Sequence, residues 1–129
     1  MTEFRKIDLE AIENLKIAAG KNGPDLIQQL VVYFENSTPS IVQNMKLALD
    51  EKSFEKLGEY SHSLKSSCFN LGAEALGLSC KAIEESVFDK NVRDPNFYRD
   101  QIKKFEENYS ETIREMHELV KTLEPLKDT

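Results

Sequence analysis

Tryptophan is absent from this chain, and cysteine and histidine occur only twice each. Two cysteines are too few for a disulfide framework or a cysteine-rich zinc site. Cys68 and Cys80 both fall on inward helix positions, so they read as reduced core thiols in a reducing compartment. Glycine occurs five times and proline four times in 129 residues, with no glycine-rich phosphate loop, no Asn-Gly hairpin and no alternating apolar run. That scarcity excludes a nucleotide cradle, and with it a kinase or ATP site, and leaves no strand signal to compete with helix. No apolar run approaches the roughly 20 residues needed to span a bilayer, and the start Met1-Thr2-Glu3-Phe4-Arg5-Lys6 lacks an apolar signal core. A membrane partner is not expected. Basic residues are outnumbered, 17 against 23 acidic, giving a net charge of −6. Such a surface repels a phosphate backbone, and no basic stripe with interleaved aromatics offsets it, so nucleic acid is excluded as a partner. A cytoplasmic location is expected, and the initial Met with polar ends points to a free-standing protein rather than a piece of a larger kinase.

What the chain does contain is 40% hydrophobic residues at helical spacing, enough for one domain over 1–129 with a real core. Asp8 caps a first helix near 9–19, Ile7 and Ile12 are placed as a hydrophobic staple across that cap, and Gly20 ends it. Pro24 suits a first helical turn. Leu26, Ile27, Leu30, Val31 and Phe34 then carry an apolar face, and Ile41, Met45, Ala48 and Leu49 continue it beyond Pro39. Thr38-Pro39 could start a new helix, but one long kinked helix over 24–50 is the favoured reading. Ser53 caps a third helix, whose stripe Phe54, Leu57, Ser61, Leu64, Cys68 and Leu71 stops at Gly72. Ala73, Leu76, Cys80, Ile83 and Val87 define a fourth, which ends before Asp89-Lys90-Asn91. Asp94-Pro95 opens the last, with Tyr98, Ile102, Phe105, Tyr109, Ile113, Met116, Val120 and Leu123 on one side until Pro125. Short connections force antiparallel neighbours. The expected fold is all-α, an up-down antiparallel four-helix bundle with an additional short N-terminal helix packed against one end. The Glu and Lys residues between the stripes read as solvated faces.

His62 stands apart from this pattern. It lies roughly 130° around the third helix from the stripe's centre, so its ring meets solvent, with Lys65 and Ser66 on neighbouring surface one turn along. A cation and a small residue beside an exposed imidazole suit the addition of a negatively charged group. Phe69, about 20° around the helix from His62, is predicted on the same exposed face two turns on. Glu55 and Glu59 share that side.

The run His62-x-Leu64-Lys65-Ser66-Ser67-x-x-x-Leu71-Gly72-Ala73, followed by Leu76, Cys80 and Glu84, resembles the signature of the histidine-containing phosphotransfer (HPt) domains of two-component phosphorelay signalling. Ile7-Asp8-Leu9, Gly20, Phe34 with Pro39, and Leu47-Ala48-Leu49-Asp50 extend the likeness over nearly the whole chain. The resemblance implies that His62 accepts a phosphoryl group from the aspartyl phosphate of a response-regulator receiver domain and passes it to another receiver. It implies receivers and a hybrid histidine kinase as partners, with magnesium on the receiver and no cofactor on this chain. An imidazole, with a reference pKa of about 6.5, is largely neutral at cytosolic pH and needs no separate base to attack phosphorus. Lys65 can stabilise charge in the loose, in-line transition state. Glu84 matches the family position whose side chain hydrogen-bonds the other ring nitrogen and fixes the tautomer. Ser66 stands where the family often has glycine, a modest departure that keeps the surface low. Phe69 is expected to contact the receiver, and Glu59 and Glu55 to tune partner choice by charge.

Two other functions compete. Glu59-Tyr60-Ser61-His62 is a Glu-x-x-His sequence of the kind that builds carboxylate-bridged dimetal sites, but such sites need two inward-facing pairs. The other histidine, His117, has Arg114 three residues before it, so no metal site is expected. A non-catalytic helical adaptor is the alternative. A monomer is expected, because the apolar stripes are all needed internally.

Overall fold

A computed structural model describes residues 4–89 and 94–123. Among them are five α-helices: α1 (Leu9–Ala19), α2 (Gly23–Asp50), α3 (Phe54–Asn70), α4 (Glu74–Phe88) and α5 (Pro95–Leu123), with a short 3-10 turn (Gly20–Asn22) between α1 and α2. Helices α2 to α5 pack in chain order around a square, α2 on α3, α3 on α4, α4 on α5 and α5 back on α2, while α1 lies against α2 and α3. The expected four-helix bundle with an added N-terminal helix is borne out.

The helix boundaries follow local chemistry. Asp8 caps α1 by accepting from Glu10 N at 3.0 Å, and Gly20 takes the positive φ of 62° that releases the chain from the helix. Helix α2 runs unbroken through Pro39, so one helix forms rather than two. Proline lacks the N–H that would reach the Glu35 carbonyl, and the Tyr109 hydroxyl of α5 donates to that oxygen at 3.4 Å instead. Asp94 opens α5, its carboxylate accepting from Asn96 N at 2.9 Å. Ser53 stands at the cap position of α3, but its side chain makes no capping bond. The expected stop at Pro125, and Lys90 and Asn91 of the polar stretch after α4, lie outside the described residues.

The core contains the stripes of all five helices, including Ile27, Phe34, Met45, Leu57, Leu64, Leu76, Ile83 and Tyr98. Cys68 and Cys80 are both buried and unpaired by any disulfide, and the neighbouring Cys80 together with burial pushes the Cys68 thiol far up. Two expectations need correction. In the second half of α5 the buried positions are Thr112, Glu115, Met116 and Leu119, whereas Tyr109, Ile113, Val120 and Leu123 are only half-buried. Glu115, expected on a solvated face, is 0% exposed. The cause is the segment before α1, which packs there. The Glu115 carboxylate accepts from Lys6 N at 2.8 and 3.1 Å and from Ile7 N at 3.2 Å. Charge-assisted bonds to otherwise orphaned backbone donors make the burial tolerable.

The α3–α4 turn is closed by its own backbone and by the segment before α1. Gly72 has φ 71°, Ala73 N donates to Cys68 O at 2.8 Å, and Gly72 O accepts from Asp8 N at 2.8 Å. A Cβ at Gly72 would stand 2.6 Å from Asp8 O. Gly72→Ala therefore combines a left-handed penalty with a backbone collision, and is expected to cost about 2 kcal/mol or more. Urea unfolding followed by circular dichroism should show the midpoint falling accordingly.

Candidate functional site

His62 and Glu84 meet because α3 and α4 run antiparallel from that turn. His62 precedes Ala73 by eleven residues and Glu84 follows it by eleven. At the turn end of the pair Phe69 lies over Gly77, and at the far end Gly58 lies against Val87. Both glycines sit at points of close approach: a Cβ on Gly77 would be 2.6 Å from the Phe69 ring, and one on Gly58 would be 3.0 Å from Val87 Cγ1.

The His62 side chain is 64% exposed, and its Nδ1 stands 2.7 Å from Glu84 Oε1. Glu84, only 12% exposed, also holds Lys65, whose Nζ is 2.7 Å from Oε2. No hydrogen bond of regular geometry reaches Oε2 among the described residues, so the lysine is held there chiefly by charge. Burial by itself raises the Glu84 pKa, but Lys65 and His62 outweigh it and hold the carboxyl below the usual glutamate value. An ionised carboxylate only accepts. Nδ1 must then carry the proton in the neutral ring, which leaves the lone pair on Nε2. The site is thus an exposed imidazole with a fixed tautomer and a cation tied to the same carboxylate.

The other expected residues are placed as follows. Ser66 is exposed, its hydroxyl turned back to the His62 carbonyl at 3.3 Å, so the surface beside the ring stays low. Phe69 is half-buried rather than on an open face, because glycine at position 77 leaves a bed for its ring. Glu55 and Glu59 are exposed and line a groove of about 750 Å³ with Gly58, His62, Glu84, Val87 and Phe88. The outward positions of Glu59 and His62 leave the Glu-x-x-His pair unable to bridge metals in the core. His117 is instead paired with Glu35 at 2.8 Å across α2 and α5. Phe88 was missed by the sequence reading. It follows Glu84 by one helical turn, the spacing that would have found it.

Fold and site together define a helical bundle in which His62 is oriented by Glu84 and faces solvent from the antiparallel α3–α4 pair. The family model described as Hpt domain matches residues 29–122, and the chain belongs to that family. It is 27% identical over 74 residues to histidine-containing phosphotransfer protein 1 of Arabidopsis thaliana, covering 56% of this chain and 48% of the relative. The chain thus spans about half the length of the curated relative it matches. The crystal structure of histidine-containing phosphotransfer protein B from Pseudomonas aeruginosa has the same fold, with a TM-score of 0.72 at 19% identity over 93% of this chain and 98% of that one. No helix among the described residues is long and apolar enough to cross a membrane.

Because the folded pKa of Glu84 is depressed, its contribution to stability is present above the ordinary glutamate value of about 4.3 and is lost as pH falls through the folded value. Thermal unfolding of wild type and Glu84→Gln should differ at neutral pH and converge on acidification. Carbon-detected NMR should place the Glu84 midpoint below that of free glutamate and show it rising in Lys65→Ala.

Proposed function

We propose that the protein is a phosphorelay intermediate in which His62 takes a phosphoryl group from the aspartyl phosphate of one receiver domain and delivers it to the aspartate of another. The observation that carries this reading is the division of labour in one imidazole: Nδ1 faces Glu84 at 2.7 Å while the ring itself is exposed. Nε2 attacks phosphorus in line, an N–P bond forms as the aspartyl O–P bond breaks, and the receiver's carboxylate leaves. The ring becomes cationic at the transition state, and Glu84 stabilises it through the Nδ1 proton. Return transfer reverses these steps. Position and charge are the protein's contribution.

Lys65 has two tasks in this reading. Its charge keeps Glu84 ionised, and it stands one turn from His62 where charge on the incoming phosphoryl oxygens develops. Ser66 and Phe69, with Glu55 and Glu59, border the surface that the receiver covers. We assign the chain no cofactor and no kinase activity; the magnesium used in transfer belongs to the receiver. Response-regulator receivers and a hybrid histidine kinase are the partners, the two unpaired thiols fit the cytoplasm, and the relay works as a monomer.

Incubation with a radiolabelled phospho-receiver tests the reading directly. Wild type should acquire acid-labile, alkali-stable label, and His62→Gln should acquire none while keeping its helical signal, since an exposed position carries little packing energy. A non-catalytic adaptor would bind the receiver and stay unlabelled. Lys65→Ala should slow transfer by about one to two orders of magnitude. Glu84→Ala should cost about ten- to a hundred-fold, the equivalent of one lost charge-assisted hydrogen bond. Glu84→Gln, which still accepts from Nδ1, should cost less than Glu84→Ala.

A further inference from the structure

Phe88 is 74% exposed, the highest value among the large hydrophobic residues described. It shares the groove between α3 and α4 with His62. The two helices contribute matching faces: Glu55, Gly58, Glu59 and His62 recur at helical spacing on α3, as do Glu84, Val87 and Phe88 on α4. Gly58 provides no side chain to fill the groove, so its floor is glycine backbone and Val87. The three carboxylates are not equivalent. Glu84 is neutralised by Lys65 and accepts from His62, whereas Glu55 and Glu59 are exposed and make no ion pair among the described residues. Two like charges one turn apart repel each other along the helix. The groove therefore offers an apolar floor, an aromatic anchor standing in water and an uncompensated acidic lip, and its end wall is the imidazole itself.

We propose that this groove selects the receiver: Phe88 and the Gly58–Val87 floor seat an apolar side chain of the receiver's docking face, and Glu55 and Glu59 favour receivers that are basic beside it. The proposal rests on the phosphorelay reading and adds to it the chemistry of the preferred partner. A receiver that brings its aspartyl phosphate to Nε2 covers the His62 end of the same groove, so docking and chemistry share one continuous surface. Aromatic anchors in desolvated pockets dominate interface affinity, and rim charges act on encounter rate and partner choice.

A panel of purified receiver domains phosphorylated with acetyl phosphate provides the test, with transfer to this chain measured as kcat and KM. Phe88→Ala should raise KM about ten-fold with little change in kcat, and Phe88→Leu should recover most of the loss. The charge-reversed variant Glu55→Lys/Glu59→Lys should lower kcat/KM by about ten-fold or more for receivers with a basic docking face. It should raise kcat/KM for acidic ones, and both effects should shrink with added salt. Wild-type KM in Phe88→Ala together with an unchanged receiver ranking in the charge-reversed variant would overturn the groove while leaving His62 as acceptor. A wild-type chain that no receiver labels overturns both readings. Sedimentation showing a dimer that Phe88→Ala dissolves would assign the groove to a second copy and overturn its role in receiver choice.

Discussion

The register of α3 against α4 is the constraint on which the site depends. It is set at one place, where Gly72 adopts a left-handed φ and Ala73 N closes back onto Cys68 O. From that turn each step back along α3 is matched by a step forward along α4, bringing Phe69 to Gly77 and His62 to Glu84, and at the far end Gly58 lies against Val87, one residue out of that count. A slip of one residue on α4 would swing Glu84 by about 100° and leave His62 with no partner at Nδ1. The segment before α1 reinforces the turn, since Ile7 bridges to Ala73 and Asp8 N bonds to Gly72 O. The orientation of the imidazole is thus decided eleven residues away from it, in backbone geometry.

Within that register, Glu84 does work that a stability argument alone would not require. A carboxylate 12% exposed carries a desolvation cost, and two partners bring that cost back toward balance rather than yielding a large surplus. What the arrangement secures is uniqueness: one carboxylate, two partners, one tautomer. The adjacent hydroxyl of Ser66 bonds to its own helix and so does not compete for the ring nitrogens. The surface around the histidine is shaped by small residues, Ser66 on one side and Gly58 on the other.

Most of the fold was legible because the helices are amphipathic and their ends carry chemistry that acts locally. Asp8, Gly20, Gly72 and Asp94 all mark ends where they were expected. His62 was legible for the same reason: it breaks a regular stripe on the solvent side. Features decided by tertiary packing were not. Ser53 has the right identity for a cap but makes no capping bond. Phe69 has a position on the helix wheel that faces outward, yet the missing side chain of Gly77, on another helix, draws its ring inward. Phe88 was passed over because Val87 completes the apolar stripe of α4, and the next residue then reads as ordinary surface. The link between Lys65 and Glu84 joins positions on two helices and depends on the register described above.

Glu115 gives the domain an edge that similarity alone would misplace. The family match begins at residue 29, yet the amides that satisfy this buried carboxylate belong to Lys6 and Ile7. Excising the matched segment as a minimal unit would remove both the amides that hold this carboxylate and the backbone that covers it, exchanging a bonded interior anion for one open to solvent. The first few residues of the chain are therefore part of the bundle's interior chemistry, and the smallest autonomous unit starts well upstream of the recognisable motif.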